Sequence, residues 1–145
     1  MSTFITDEEA EIRKILVDAR VIAVVGASES PFRDSNMIMR YLIEQGYDVV
    51  PVNPKYEKVL DRQCFPTVKS TNRQVDIVNV FRRSEYVEEV AHDAIASKAG
   101  TLWLQLGVKD EDAARYAANN GAKVVMDRCI MVEHRRLIGS RNNRA

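Results

Sequence analysis

Four cations, Arg33, Lys55, Arg82 and Arg83, each follow an oily run by a few residues, in "VIAVVGASESPFRDSN", "VVPVNPKYEKV" and "NVFRRS". Positive side chains collected just past strand ends suit an anion, and phosphate is the anion that narrow loops and helix-start amides also favour. Gly26 permits a sharp turn and a close approach of backbone to ligand. Ala27 and Ser28 keep the loop narrow, and Ser28 adds a hydroxyl. Pro31 stiffens the loop and withholds an N–H. Asp34 or Ser35 can cap the following helix, whose first amides would face the anion, with Arg33 beside them. The loop has one glycine where the dinucleotide fingerprint has three, so the glycine pattern alone does not specify a nucleotide.

The second loop narrows the choice. A site made for NAD carries an acid near the end of the second strand to hold the ribose diol. Here Asn53, Pro54 and Lys55 occupy that place, starting 27 residues beyond Gly26, and the next carboxylate is Glu57. An ammonium attracts a phosphorylated ribose where a carboxylate repels it. NADP and coenzyme A both meet that demand. In the third loop Phe81 can pack on a base or a pantetheine chain, with Arg82 and Arg83 next to it.

Other reactive residue types are sparse. Cys129 follows the last oily run at an expected helix start; it reads as a small buried apolar residue or, where amides and Arg128 favour thiolate, as a thiol that forms a mixed disulfide with a bound thiol or receives an acyl group. Cys64, in "RQCFPTV", reads as part of a turn segment. His92 and His134 read as helix-surface histidines. Tyr41, Tyr47 and Trp103 sit in apolar patterns and are expected in the packing. Asp110, Glu111 and Asp112 fit the positive end of a helix better than a metal site.

These residues need elements to hold them. Short β-branched runs at 21–25, 48–52, 76–81, 101–106 and 123–126 alternate with helical patterns near 35–45, 84–98, 110–119 and 129–138. A further helix is expected over 6–19, with Thr6 and Glu9 as a capping box. Gly46, Gly100 and Gly121 each follow a helical stretch, as left-handed caps do. Runs this apolar predict strands covered on both faces. The fold class is therefore α/β: a doubly wound, mostly parallel, five-stranded Rossmann-like sheet flanked by helices, with order 3-2-1-4-5 expected. Ligands of such sheets bind past the carboxyl ends of the strands. The candidate loops are then 26–34, 53–56, 81–84, 105–109 and 127–129.

A chain of 145 residues suits a single domain, here 1–145 with a basic tail at 138–145. Its 21 Lys and Arg balance 21 Asp and Glu, which removes any overall pull toward nucleic acid or an anionic membrane. The acidic start suits neither a signal nor a transit peptide, and with two separated cysteines a cytoplasmic protein with reduced thiols is expected. An exposed edge strand makes a homodimer an expectation as well.

Taken in order, "VVGASESPFRDSN", "VPVNPKYEKVLDRQCFPTV", "DIVNVFRR", "WLQLG" and "VVMDRCIMVEH" resemble the small stand-alone CoA-binding proteins. Those share a Rossmann-like domain with the amino-terminal part of succinyl-CoA synthetase alpha subunits. The resemblance covers about residues 8–137. It implies that Gly26, Ala27 and Ser28 line the diphosphate of coenzyme A, with Arg33 and Ser35 nearby. Lys55 would meet the phosphorylated nucleotide end after the Asn53–Pro54 turn. Val80, Phe81 and Arg82 would wall the cofactor, and Gln105 and Gly107 would stand at the mouth. The ligases' phosphohistidine domain and an ATP-binding P-loop have no counterpart in these residues. The expected function is binding of coenzyme A or acyl-CoA as a non-catalytic carrier, sensor or regulatory module. Two alternatives stand beside it: an NADP-dependent reductase or acyl-CoA-using enzyme, and a protein-interaction domain that no longer holds a nucleotide.

Overall fold

β-Branched residues pack well on a pleated surface, and the five such runs form the five strands of one parallel sheet. In the computed structural model, which describes residues 4–139, the elements run α1 (Glu9–Asp18), β1 (Val21–Val25), α2 (Asp34–Glu44), β2 (Asp48–Val52), β3 (Ile77–Val80), α3 (Val87–Ala96), β4 (Thr101–Leu104), α4 (Glu111–Asn119), β5 (Lys123–Met126) and α5 (Ile130–Leu137). Between β2 and β3 lies a separate antiparallel ribbon, Lys58–Val59 with Arg62–Gln63, which the sequence pattern did not reveal. The basic tail continues from residue 140 outside the described residues.

Period-two alternation sends successive strand residues to opposite faces. Ala23, Val25, Val78, Val80, Leu102 and Leu104 meet α3 and α4 on one face. Ile22, Val24, Ile77, Trp103 and Val125 meet α1, α2 and α5 on the other. The α/β doubly wound architecture is thus the expected one.

The order within it is not. The strands lie β2-β1-β3-β4-β5, so β3 is hydrogen-bonded beside β1 and the expected 3-2-1-4-5 is corrected. The connection from β2 to β3 folds back across the sheet, carrying Val68 and Val75 into the α3/α4 face. Pro51 supplies a physical reason. Proline lacks an N–H and belongs on an edge strand, with its missing donor turned outward. The carbonyl of Pro51 accepts from the outlying Phe65 N–H at 3.1 Å, so this residue faces away from β1 and β2 is the edge.

Neither outer edge is bare. Phe65 bridges to Val52 along β2, and the Thr6 N–H donates to the Val124 carbonyl of β5 at 2.7 Å. The open edge that favoured a homodimer is therefore partly covered by the chain itself. Thr6 is also no capping box. Recruited to β5, it leaves Glu8 as a helix cap without a side-chain bond. Gly46 and Gly121 are left-handed as expected, whereas after α3 it is Lys98 that turns left-handed, not Gly100.

Candidate functional site

With β1 and β3 adjacent, α2 leaves β1 toward one face of the sheet and α3 leaves β3 toward the other. Their connecting loops must separate, and a crevice forms between them. A cleft of about 870 Å³ lies there, lined from four loops. That volume falls within the range of small-molecule sites.

Each loop is braced from within. Gly26 takes φ +92°, and a Cβ on it would stand 3.2 Å from the Phe81 carbonyl oxygen. The single glycine thus serves the close approach of two neighbouring strand ends, which the strand order creates. The Asn36 side-chain amide donates to the Ser28 carbonyl at 2.8 Å, and the Ser28 hydroxyl accepts from the Ser30 N–H at 3.1 Å. That hydroxyl keeps a proton to donate. The Leu60 N–H donates to the Glu29 carboxylate at 2.6 Å, pinning the loop to the ribbon. Asn53 joins two loops, donating to the Ala27 carbonyl at 2.8 Å and accepting from the Lys55 N–H at 2.9 Å. This small turn presents Lys55 on the rim.

The charge in the cleft is uncompensated. Among the described residues Arg33, Lys55 and Arg82 line it with no salt-bridge partner, and Asp34 is its one acid. The Arg82 guanidinium lies 4.4 Å from the centre of the Tyr86 ring, which steadies it without neutralising it. Helix α2 starts at the same rim. Its cap, Arg33, makes no side-chain cap bond, so the first-turn amides beside Asp34 and Ser35 add partial positive charge. No carboxylate follows β2 in the lining, where an NAD site would have one. Three cations, a serine hydroxyl and a helix start can together hold two or more phosphate groups.

Of the residues singled out from sequence, Gly26, Ser28, Arg33, Ser35, Asn53, Pro54, Lys55, Phe81, Arg82 and Gln105 line this cleft. Ala27 and Val80 are fully buried in the cores on opposite faces of the sheet, and act through packing. Pro31 is exposed outside the lining, and Gly107 forms the turn after Gln105. Cys129 does not reach the cleft. It is the half-buried cap residue of α5, beyond β5, which lies three strands from β1 in the observed order and would lie two away in the expected one. Cys64 is buried, and burial pushes its thiol up, away from thiolate. The two histidines part company. His92 is exposed and stacks on Tyr116, whereas His134 is only 1% exposed, with its Nδ1 2.7 Å from the Tyr41 hydroxyl. The surface reading of His134 is thus corrected, because α5 packs against α1 and α2.

Arg83, flagged beside Arg82, also lines the cleft, as do Phe32, Asp34, Tyr56, Tyr86, Leu106 and Val108, which the sequence does not single out as ligand contacts. Most fall inside the loops flagged from sequence. Leu106 was hidden because "TLWLQL" reads as one strand, while β4 ends at Leu104. Tyr86 ends a short 3-10 turn, Ser84–Tyr86, that precedes α3, where the pattern near 84–98 reads as one helix. Behind this wall the buried Gln105 Oε1 accepts from the Asn79 amide and the Ile130 N–H, each at 3.2 Å. Asp127, left-handed at φ +61°, accepts from the Gly107 N–H at 2.7 Å. That bond, with Lys109 alongside, holds its carboxyl below the usual range. The loop after β5 therefore braces the cleft without lining it.

Residues 20–135 match a family model described as a CoA binding domain. The chain is 39% identical over 126 residues to the uncharacterized protein YneT of Bacillus subtilis (strain 168), covering 87% of this chain and 93% of that protein. A hypothetical protein from Pyrococcus horikoshii OT3 superposes with a TM-score of 0.89 and 41% identity, over 92% of this chain and 94% of the other. An ADP-forming acetate–CoA ligase I of Archaeoglobus fulgidus is 26% identical over 121 residues, which is 77% of this chain and 18% of the ligase.

Proposed function

This chain belongs to the CoA-binding domain family, and from that membership and the chemistry of the cleft we propose that it binds coenzyme A or an acyl-CoA reversibly, as a carrier, sensor or regulatory module in the cytoplasm. One observation carries the reading. Three cations without carboxylate partners, Arg33, Lys55 and Arg82, converge from three loops on one cleft that also receives the start of α2. Coenzyme A has a diphosphate and a separate 3′-phosphate, and this arrangement offers charge for both. Ser28 and the α2 start suit the diphosphate, and Lys55, on the edge-strand loop, suits the ribose phosphate. Phe81 offers a flat apolar face to the base or the pantetheine arm.

A binding role fits the lining, which contains no histidine or cysteine and one acid, Asp34. The chain matches 18% of the acetate–CoA ligase, and ligation chemistry is no part of the proposal.

Thermal unfolding of the protein with equal excesses of CoA, dephospho-CoA, NADP and NAD tests this reading. A ligand at 100 times its Kd stabilises by about 2.7 kcal/mol, which raises Tm by several degrees in a domain of this size. The expected ranking is CoA, then dephospho-CoA, with NAD inert. NADP ranking above CoA would favour a reductase, and no shift with any of the four would favour a protein-interaction domain.

A further inference from the structure

The order of the loops along the sheet edge gives the cleft a direction. Reading β2, β1, β3, β4, the lining passes from Lys55 to Ser28 and Arg33, then to Phe81 and Arg82, and ends on Leu106 and Val108. Three strand spacings separate its ends, about 14 Å, a distance an extended pantetheine arm can span. One end is cationic and the other apolar.

The apolar end is unusually exposed. Among the described residues six large hydrophobic side chains are exposed, and three of them line this one cleft: Leu106 (66%) and Tyr86 (40%) toward this end, and Phe32 (94%) from the loop after β1. Leu106 is not loose. The Val108 N–H donates to the Gln105 carbonyl at 2.8 Å across a tight turn, and Asp127 holds the Gly107 N–H. A firmly built turn thus keeps a leucine facing water at the cleft wall. Of the charged groups flanking this end, Lys109 lies 3.4 Å from Asp127 and Arg83 3.9 Å from Glu85, while the Arg82 guanidinium lies over the Tyr86 ring, toward the cationic end. A hydrocarbon chain would cover exposed apolar surface there.

We propose, building on the coenzyme A reading of this cleft, that the preferred ligand is a thioester with an apolar acyl chain of medium length, selected by the Leu106 wall. The nucleotide lies at the cationic end, the arm crosses β1 and β3, and the chain leaves the sulfur over Leu106, Val108 and Tyr86. Partial burial of the chain's methylenes supplies the selection.

Calorimetric titration of the full chain with CoA, succinyl-CoA and octanoyl-CoA tests this, together with Leu106→Asn. Octanoyl-CoA is expected to bind at least about tenfold tighter than CoA, and succinyl-CoA no tighter than CoA. In Leu106→Asn the ratio of the CoA and octanoyl-CoA dissociation constants should fall to within about twofold of unity. Equal binding of CoA and octanoyl-CoA by the unaltered protein would overturn the acyl assignment while leaving the coenzyme A reading intact. Succinyl-CoA outranking octanoyl-CoA, or an undiminished ratio in Leu106→Asn, would overturn it too. Failure of all three ligands to bind would remove the cofactor reading and this inference together.

Discussion

The two ends of the parallel sheet treat charge in opposite ways. At the amino end three acids have work within the fold. Asp48 lies 2.6 Å from Arg73 and 3.7 Å from Arg62, the Asp76 carboxylate accepts from the Arg20 and Val21 N–H groups at 2.9 Å, and Lys123 pairs with Glu11 at 2.9 Å. At the carboxyl end, over β2, β1 and β3, Arg33, Lys55 and Arg82 face a cleft without a salt-bridge partner among the described residues. Parallel strands align their ends, so both edges gather side chains equally well. What separates them is pairing. Charges that hold elements together are matched inside the chain, and charges left unmatched on a concave surface remain able to attract an anion.

Substitutions at equivalent roles on the two ends sharpen that contrast. The largest effect is expected at the strand turns. Gly26→Ala combines a strained φ with a Cβ pressed to 3.2 Å against the Phe81 backbone, and should cost about 2–3 kcal/mol, lowering Tm by about 5–10 °C. At Gly121, also left-handed but with nothing within 4 Å of an added Cβ, alanine should cost only about 1 kcal/mol. Equal losses in calorimetry would show that the β1–β3 approach is not the reason for the glycine.

Next comes Lys55→Ala, which should leave Tm in the absence of ligand unchanged, because this side chain is exposed and makes no ion pair among the described residues. CoA affinity should fall about tenfold or more, while dephospho-CoA affinity changes little. Equal losses for both ligands would take Lys55 off the ribose phosphate.

The smallest effect belongs to the amino end. Arg73 holds the Asp48 carboxyl below its ordinary range, so this group stabilises the fold above the unfolded carboxylate value. That stability is lost as pH falls below about 4, through the lowered folded value. Since Asp48 is half exposed, Asp48→Asn should cost only about 0.5 kcal/mol at pH 7. The gap from the unaltered protein should close as pH falls through the lowered folded value. CoA binding should not change, and a weakened CoA affinity in this variant would blur the division between the two ends.

Much of the cleft could be read from local pattern, because strand ends are marked by turn residues and by the close of β-branched runs. Asn53-Pro54-Lys55 needed only its position after β2. The misreadings came where pattern alone is ambiguous. "TLWLQL" alternates as a strand would, yet Leu106 belongs to the loop. "VEHRRL" looks like a wet helix face, yet His134 is buried between helices distant in sequence. Pro51 carried the clue to the strand order, since a proline whose missing donor must face outward argues against an interior β2.

Local chemistry alone decided that five parallel strands would alternate with helices, and that cations would collect just past their carboxyl ends. Side-chain size, β-branching and turn propensity act over a few residues, so a linear reading reaches them. Which loops become neighbours was settled by the packed sheet. The placing of β3 against β1 makes Gly26 touch Phe81, sets Leu106 at one end of the cleft and removes Cys129 from it. Such adjacency depends on how a 24-residue connection (53–76) folds back over the sheet, a contest among long-range contacts that no short stretch contains.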